Sequence, residues 1–187
     1  MKEPRDIAGQ RRGRECLRNL VTLIPPPPDL LYAVGTANPI ALPTDFKNLV
    51  KQYGSGEFNL PFRPSKVACL MNPNAPDYLQ FRDWSLLVLR EIVANDHIKI
   101  SIYPEVPGLL PWAWGDTVHY YWMTQGAPDK WPIVVMYKER FYDFDCSATC
   151  FLFDLLSGHL DPTFLGWSNG PFDPTKVRFL PHIGANA

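Results

Sequence analysis

The 187-residue sequence has almost no excess of charge, no long apolar run and no phosphate-cradling glycine loop, and each absence removes a class of function. Its 18 Lys/Arg and 19 Asp/Glu leave a net charge of −1, whereas a dedicated nucleic-acid binder carries a strongly basic face. Uninterrupted apolar stretches reach only about five residues, far short of the roughly 20 that span a bilayer. The first residues, MKEPRDIAGQRRGRECL, hold charge but no apolar centre of a signal peptide. The expectation is a cytoplasmic protein with neither export nor membrane insertion. P-loop and dinucleotide glycine patterns are missing, as are a Gly-x-Ser-x-Gly elbow and a His-Glu-x-x-His helix.

Cysteines are few: Cys16, Cys69, Cys146 and Cys150. Scattered through a chain with no apparent leader, they are expected to be reduced and buried. Cys146 and Cys150 stand at a spacing that a zinc pair tolerates, with His159 nearby. One loose pair is a weak signal, and the two read instead as core residues at i, i+4 around a helix start. No metal and no cofactor is expected.

Proline and aromatics are abundant. The 20 prolines are about twice the usual share, which excludes an all-helical bundle and implies short elements joined by stiff turns. The 6 Trp, 8 Tyr and 11 Phe must build a dense core or dress a contact surface.

The spacing of apolar residues predicts a first helix from Gln10 to Ile24, with Leu17, Leu20, Val21 and Ile24 on one stripe, ended by Pro25–Pro28. Residues 1–20 carry six Lys/Arg against three Asp/Glu. The plain reading is a solvated helix face; the sharper one is a nucleic-acid or membrane-surface arm. A second helix starts near Thr44, its expected N-cap, buries Phe46, Leu49, Val50 and Tyr53, and stops at Gly54. A third, Tyr78 to Ala94, has so wide an apolar band that it is predicted to be a central packing helix. Strands are expected at 97–105, from alternating Ile98, Ile100 and Ile102, and at 117–124. A doubly apolar strand is expected at 131–138, with a short partner at 141–144. A last helix follows Ser147 and ends at Gly158, and a final strand is expected at 176–180. The order predicts a single-domain α+β fold with a largely antiparallel sheet wrapped by helices.

Three stretches, LPTDFKNLVKQYGSGEF at 42–58, PEVPGLLPWAWGDTVHYYWMTQGAPDKWPIVV at 104–135 and FYDFDCSATCFLFDLLSG at 141–158, together resemble the SUKH superfamily. These are bacterial immunity proteins related to a fungal cell-wall-assembly regulator. The resemblance rests on the Leu-Pro that opens a helix ending in Tyr-Gly-Ser-Gly, a Gly-Leu-Leu-Pro-Trp turn and a Gly-Asp entering an aromatic strand. It continues through a Trp-Pro-Ile-Val-Val strand and a closing Leu-Leu-Ser-Gly. It covers about residues 30–160, so the chain divides into an N-terminal helix and Pro-rich arm (1–29), the SUKH-like domain (30–160) and a C-terminal tail packing on it (161–187). The segment between Trp112 and Gly115 is shorter than is usual in the family.

The resemblance implies no catalytic machinery and a function by binding. The expected activity is stoichiometric occlusion of a cognate polymorphic-toxin domain, of basic nuclease or deaminase type. The alternative is a regulatory scaffold akin to the fungal relative. No membrane or nucleic-acid partner is expected; a second copy of the chain is a further candidate partner.

Two pairs could carry acid–base chemistry, His119 with Asp116 and Asp143 with Asp145. A strand-surface histidine beside a turn carboxylate, and an acidic strand rim, are the commoner readings. From Glu105 to Asp161 there are eight Asp/Glu and three Lys/Arg, an acidic half that complements a basic partner. Trp112, Trp114 and Tyr120 are expected around an exposed turn at Gly115–Asp116, where aromatics beside carboxylates make interface hot spots. The candidate contact residues are therefore Glu105, Trp112, Trp114, Asp116, Tyr120, Asp143 and Asp145, with Trp112 also readable as core.

Overall fold

Alternation of side chains along the strands divides this protein into two unequal layers. The computed structural model describes residues 13–27, 40–60, 66–73, 75–95, 99–165 and 173–182. The expected helix start at Gln10, the linker at 28–39 and Ile98 lie outside them. The described elements are α1 (Gly13–Leu23), α2 (Thr44–Tyr53), β1 (Gly56–Asn59), β2 (Lys66–Leu70), α3 (Pro76–Asn95), β3 (Leu109–Trp114), β4 (Val118–Met123), β5 (Ile133–Tyr137), β6 (Arg140–Phe144), α4 (Ala148–Leu156) and β7 (Arg178–Pro181). The seven strands form one sheet in the order β6-β5-β4-β3-β2-β1-β7, and every neighbouring pair is antiparallel. The fold is α+β, as the sequence predicts.

One face of the sheet carries Phe58, Leu70, Leu110, Trp112, Tyr120, Trp122, Val135 and Phe144, buried with α1, α2 and α4 in the main core. Helix α4 sits so deep that all nine of its residues are buried. Its N-terminus is held as predicted, the Ser147 hydroxyl accepting the Cys150 N–H. The expected N-cap of α2 differs. Thr44 is already helical, and its N–H and hydroxyl both donate to Asp129, 85 residues away in a 3-10 turn. A carboxylate delivered by tertiary structure thus satisfies the helix end that a local residue was expected to satisfy.

Helix α1 is a layer of this core. Cys16, Leu20 and Ile24 are buried in it, and the Tyr53 hydroxyl donates to the Ile24 carbonyl at 2.7 Å. Cys16 and Cys150 form a disulfide across 134 residues, Cα to Cα 5.0 Å. This corrects the expectation of four reduced cysteines: only Cys69 and Cys146 are free thiols. The same bond removes Cys150 from any zinc pairing with Cys146.

Among the described residues, the other face is covered by α3 and the segment 99–108. Leu89, Tyr121, Val134 and Met136 form a small cluster there, flanked by Ile100 and Ile102. Among the described residues, only an isolated bridge between Ile102 and Leu109 stands where a strand was expected; Ile100 and Ile102 pack over the sheet instead of within it. Helix α3 is likewise not a central helix. Tyr78, Phe81, Leu86 and Leu89 face the sheet, while Leu79, Trp84 and Leu87 remain 46%, 52% and 54% exposed. Nothing among the described residues covers that outer side. The Gly-Leu-Leu-Pro-Trp segment, expected as a turn, is the central strand β3, between β2 and β4. No helix of the described residues is long and apolar enough to cross a membrane.

Candidate functional site: the open sheet face beside α3

A single cross-strand row organises this face. Leu180 lies opposite Glu57, Glu57 opposite Cys69, Cys69 opposite Trp114, Trp114 opposite His119, His119 opposite Met136 and Met136 opposite Phe141. Because facing residues share a side of the pleat, these side chains form a band across all seven strands. Helix α3 covers its middle, and no helix among the described residues covers the β1–β2–β7 end.

Where helix and band meet, Met71, Gln80, Phe81, Trp84 and Trp114 line an open groove of about 500 Å³. The Phe81 and Trp114 rings stand 4.5 Å apart, and the Lys66 ammonium lies 5.8 Å from the Trp114 ring centre, within cation–π range. The Gly115–Asp116 turn closes this end. The Lys66 N–H donates to Asp116 Oδ2 at 3.1 Å, and the Asp116 N–H returns to the Lys66 carbonyl at 3.1 Å. Gly115 permits the approach: a Cβ there would lie 2.6 Å from the Val67 carbonyl oxygen. A smaller recess near α1 and α2 includes Thr44, Asp45, Asp129 and Ser147. Asp129, Asp45 and Ser147 in it serve helix ends, Asp45 Oδ2 accepting the Thr149 N–H.

Beyond Trp114 the band turns polar. The Lys66 ammonium pairs with Glu57 Oε1 at 2.7 Å, His182 Nε2 lies 3.5 Å from the same oxygen, and Cys69 Sγ is 3.8 Å from that nitrogen. Burial pushes the Glu57 carboxyl up, but hydrogen bonds from Lys66, Asn59 and His182 outweigh it and hold it below its ordinary value. Burial, with the Glu57 charge, pushes the Cys69 thiol up to about 12.

Cysteine, histidine and glutamate together invite a nucleophile reading, and the geometry opposes it. A relay needs the two ring nitrogens to serve different partners, one the thiol and one the carboxylate. Here Nε2 faces both, and the thiol is far from the lowered pKa of an activated cysteine.

Of the residues singled out in the sequence, the fold brings Trp114 and Asp116 together at the groove. Tyr120 is corrected as a contact residue, and Trp112 takes the core reading rather than the contact one. Both are fully buried on the opposite face, Trp112 against Phe46 and Trp122, and the Tyr120 hydroxyl donates to the Val67 carbonyl at 2.7 Å. The reason is a β-bulge at Trp112, where the register shifts between Pro111 and Ala113, so that Trp112 and Trp114, which plain alternation would place on one side, point to opposite faces. Glu105 is exposed at the far end of β3, about 17 Å of strand away. Asp143 is half-buried on edge strand β6, where burial raises its carboxyl. Asp145 is exposed beyond the end of that strand, so the two do not act as a pair along a strand. The acidic half is dispersed as well: Asp129 caps α2, Asp154 is buried, and Asp161 bonds Thr163.

Sequence reasoning gave Glu57, Lys66 and His182 no role in a site and read Cys69 as a reduced, buried thiol. No local signal joins positions 57, 69 and 182; strand pairing does.

His119, mid-band, stacks on Tyr121 and lies 6.4 Å from the Trp84 ring. Burial lowers its pKa from the ordinary value near 6.5. A folded-state pKa below the unfolded one means that the unfolded chain takes up the proton first. Stability is therefore expected to fall as pH drops below about 6.5 and to level off below the folded pKa. Urea denaturation at pH 7.5 and 5.5 should show a smaller acid loss in His119→Gln than in the parent; equal losses would refute it.

No family model, curated protein or solved structure matches the chain.

Proposed function

We propose that this protein acts by binding another protein through the outer side of α3 and the Trp84–Trp114 groove, masking that partner without transforming a substrate. The observation that carries the reading is the placement of Leu79, Trp84 and Leu87, each about half exposed on one helix. On an ideal helix they fall within roughly 140° of arc, beside a groove lined by two tryptophans. Large apolar side chains gathered at one place mark interaction sites, and tryptophan is enriched where binding energy concentrates. The same-nitrogen geometry at His182 supports a non-catalytic role. The resemblance of three stretches to SUKH immunity proteins supports a cognate toxin domain of basic nuclease or deaminase type as the partner, met here by an apolar contact centre with Lys66 and Asp116 at its rim. The alternative is a regulatory scaffold akin to the fungal relative, which predicts several partners on the same face.

This reading puts the protein in the cytoplasm. The Cys16–Cys150 bond favours an oxidising compartment, and counting free thiols in rapidly quenched cells separates the two: two reactive cysteines mean that the bond is present, four that it is not.

Co-expression with the toxin domain encoded beside it is expected to restore growth and yield a stable complex. Trp84→Asp and Leu87→Asp, at exposed positions, should leave the denaturation midpoint nearly unchanged and weaken the complex by about 30-fold or more, the scale of an interface hot spot. Unimpaired protection by both variants, or turnover of a small molecule that is lost on replacing Asp143 or His119, would defeat the proposal. Concentration-dependent self-association abolished by Trp84→Asp would instead assign the face to a second copy.

A further inference from the structure

We propose that Glu57, Cys69 and His182 form a divalent-metal site at the open end of the sheet face, with zinc the ion that their donors favour. The proposal stands independently of the masking reading, since it rests on a different part of the face. Two donors come from the neighbouring strands β1 and β2, and the third stands at the end of the adjacent β7. Glu57 and Cys69 face each other across β1 and β2, and His182 follows β7 directly. Its own N–H donates to the Ser55 carbonyl at 3.0 Å, which pins the imidazole beside the other two. Among the described residues this is the cluster whose donor atoms converge, all lying within 4.8 Å of one another.

The distances suit a tetrahedral ion. Zinc–sulfur and zinc–nitrogen bonds of about 2.3 and 2.0–2.1 Å place tetrahedral S and N ligands ~3.6 Å apart, and N and O ligands ~3.3 Å apart. The observed separations are 3.8 Å for Cys69 Sγ to His182 Nε2 and 3.5 Å for Nε2 to Glu57 Oε1, so two sides of the ligand triangle are within about 0.2 Å of what the ion requires. One thiolate, one imidazole and one carboxylate form a mixed donor set suited to zinc rather than to the hard cations calcium and magnesium. The convergence of Sγ and Oε1 on one nitrogen, which defeats a proton relay, is what three ligands of a shared ion produce. Glu57 and His182 keep 22% and 33% side-chain exposure, so solvent reaches the fourth position.

Binding is coupled to a proton. Without metal, Cys69 is a neutral thiol; when the metal–sulfur bond forms, the S–H proton passes to solvent, and affinity rises with pH. Lys66 is the built-in competitor. Its ammonium occupies Glu57 Oε1 at 2.7 Å, and metal entry must turn it away, toward Asp116 and the Trp114 ring, which are already beside it.

The test is a Co²⁺ titration followed by Zn²⁺ displacement in a Cys146→Ala chain, where Cys69 is the one free thiol. The expected result is one equivalent per chain, with a thiolate-to-cobalt absorption band that zinc removes. His182→Ala should weaken uptake by at least about tenfold, and Glu57→Gln should do the same. Lys66→Met should tighten it by about threefold or more, because a competing cation is gone. Cys69 is buried and its serine variant can lose the fold, so His182→Ala, at a partly exposed position and with its denaturation midpoint checked, is the deciding variant. Absence of saturable uptake at micromolar concentrations, or unchanged affinity in His182→Ala, would overturn the site.

Discussion

Trp112→Ala is expected to cost the fold about 3–5 kcal/mol, the range for deleting a buried large aromatic. The indole is fully buried in the main core, stacked on Trp122 at 5.9 Å, edge-on to Phe46 at 6.1 Å and 5.3 Å from Tyr120. These neighbours come from β4 and α2, so the cavity would open where the sheet meets its helices, in a close-packed region with little freedom to collapse. Against a total stability of roughly 5–15 kcal/mol, that is enough to leave a large unfolded fraction. Trp112→Phe should cost only about 1–2 kcal/mol, because the buried indole Nε1 has no hydrogen-bond partner among the described residues and the change forfeits volume but no such bond. Trp114→Ala, half-exposed at the groove, should fall well below Trp112→Ala. Urea denaturation of the three variants orders them. A Trp112→Ala protein as stable as the parent but defective in partner binding would restore the contact role that the sequence reading gave this residue.

Breaking the Cys16–Cys150 bond is expected to have the next largest effect, a loss of about 3–5 kcal/mol. The bond closes a 134-residue span, and the cost of leaving so long a loop open in the unfolded chain sets the upper figure. Helix α1, at 11 residues, is too short to persist alone; its seat depends on Cys16, Leu20 and Ile24 against α2 and α4. Reduction should therefore lower the denaturation midpoint and speed amide exchange in α1 before the sheet exchanges. A Cys16→Ser/Cys150→Ser variant should start at the lower midpoint and ignore the reductant. If reductant leaves the parent's midpoint unchanged, the cross-link contributes nothing to stability.

Elements written as local patterns were legible. The stripe Phe46, Leu49, Val50, Tyr53 with Gly54 at φ 70° is a helix and its stop. The apolar run of β5 is buried on both faces. Ser147 caps α4 where the pattern places it. Expectation and structure part where composition alone does not fix location. The apolar breadth of α3 predicted burial on several sides, yet part of it faces outward as the candidate contact surface. The isoleucines at 100 and 102 alternate like a strand but serve as a packed cover, because β3 finds its partners in β2 and β4. Trp112, Trp114 and Tyr120 lie close in sequence, and a bulge in β3 sends Trp114 to the other face from Trp112 and Tyr120.

What the sequence determined by itself was therefore one-dimensional: the period of each element, its stops and caps, and the α+β class that their order implies. What only the tertiary structure decided was which distant residues meet: Cys16 with Cys150, Thr44 with Asp129, and Glu57 with Cys69 and His182. Hydrophobic periodicity has a range of a few residues and selects a helix or a strand. Strand register and helix docking act across more than a hundred residues, and no local pattern encodes the partner.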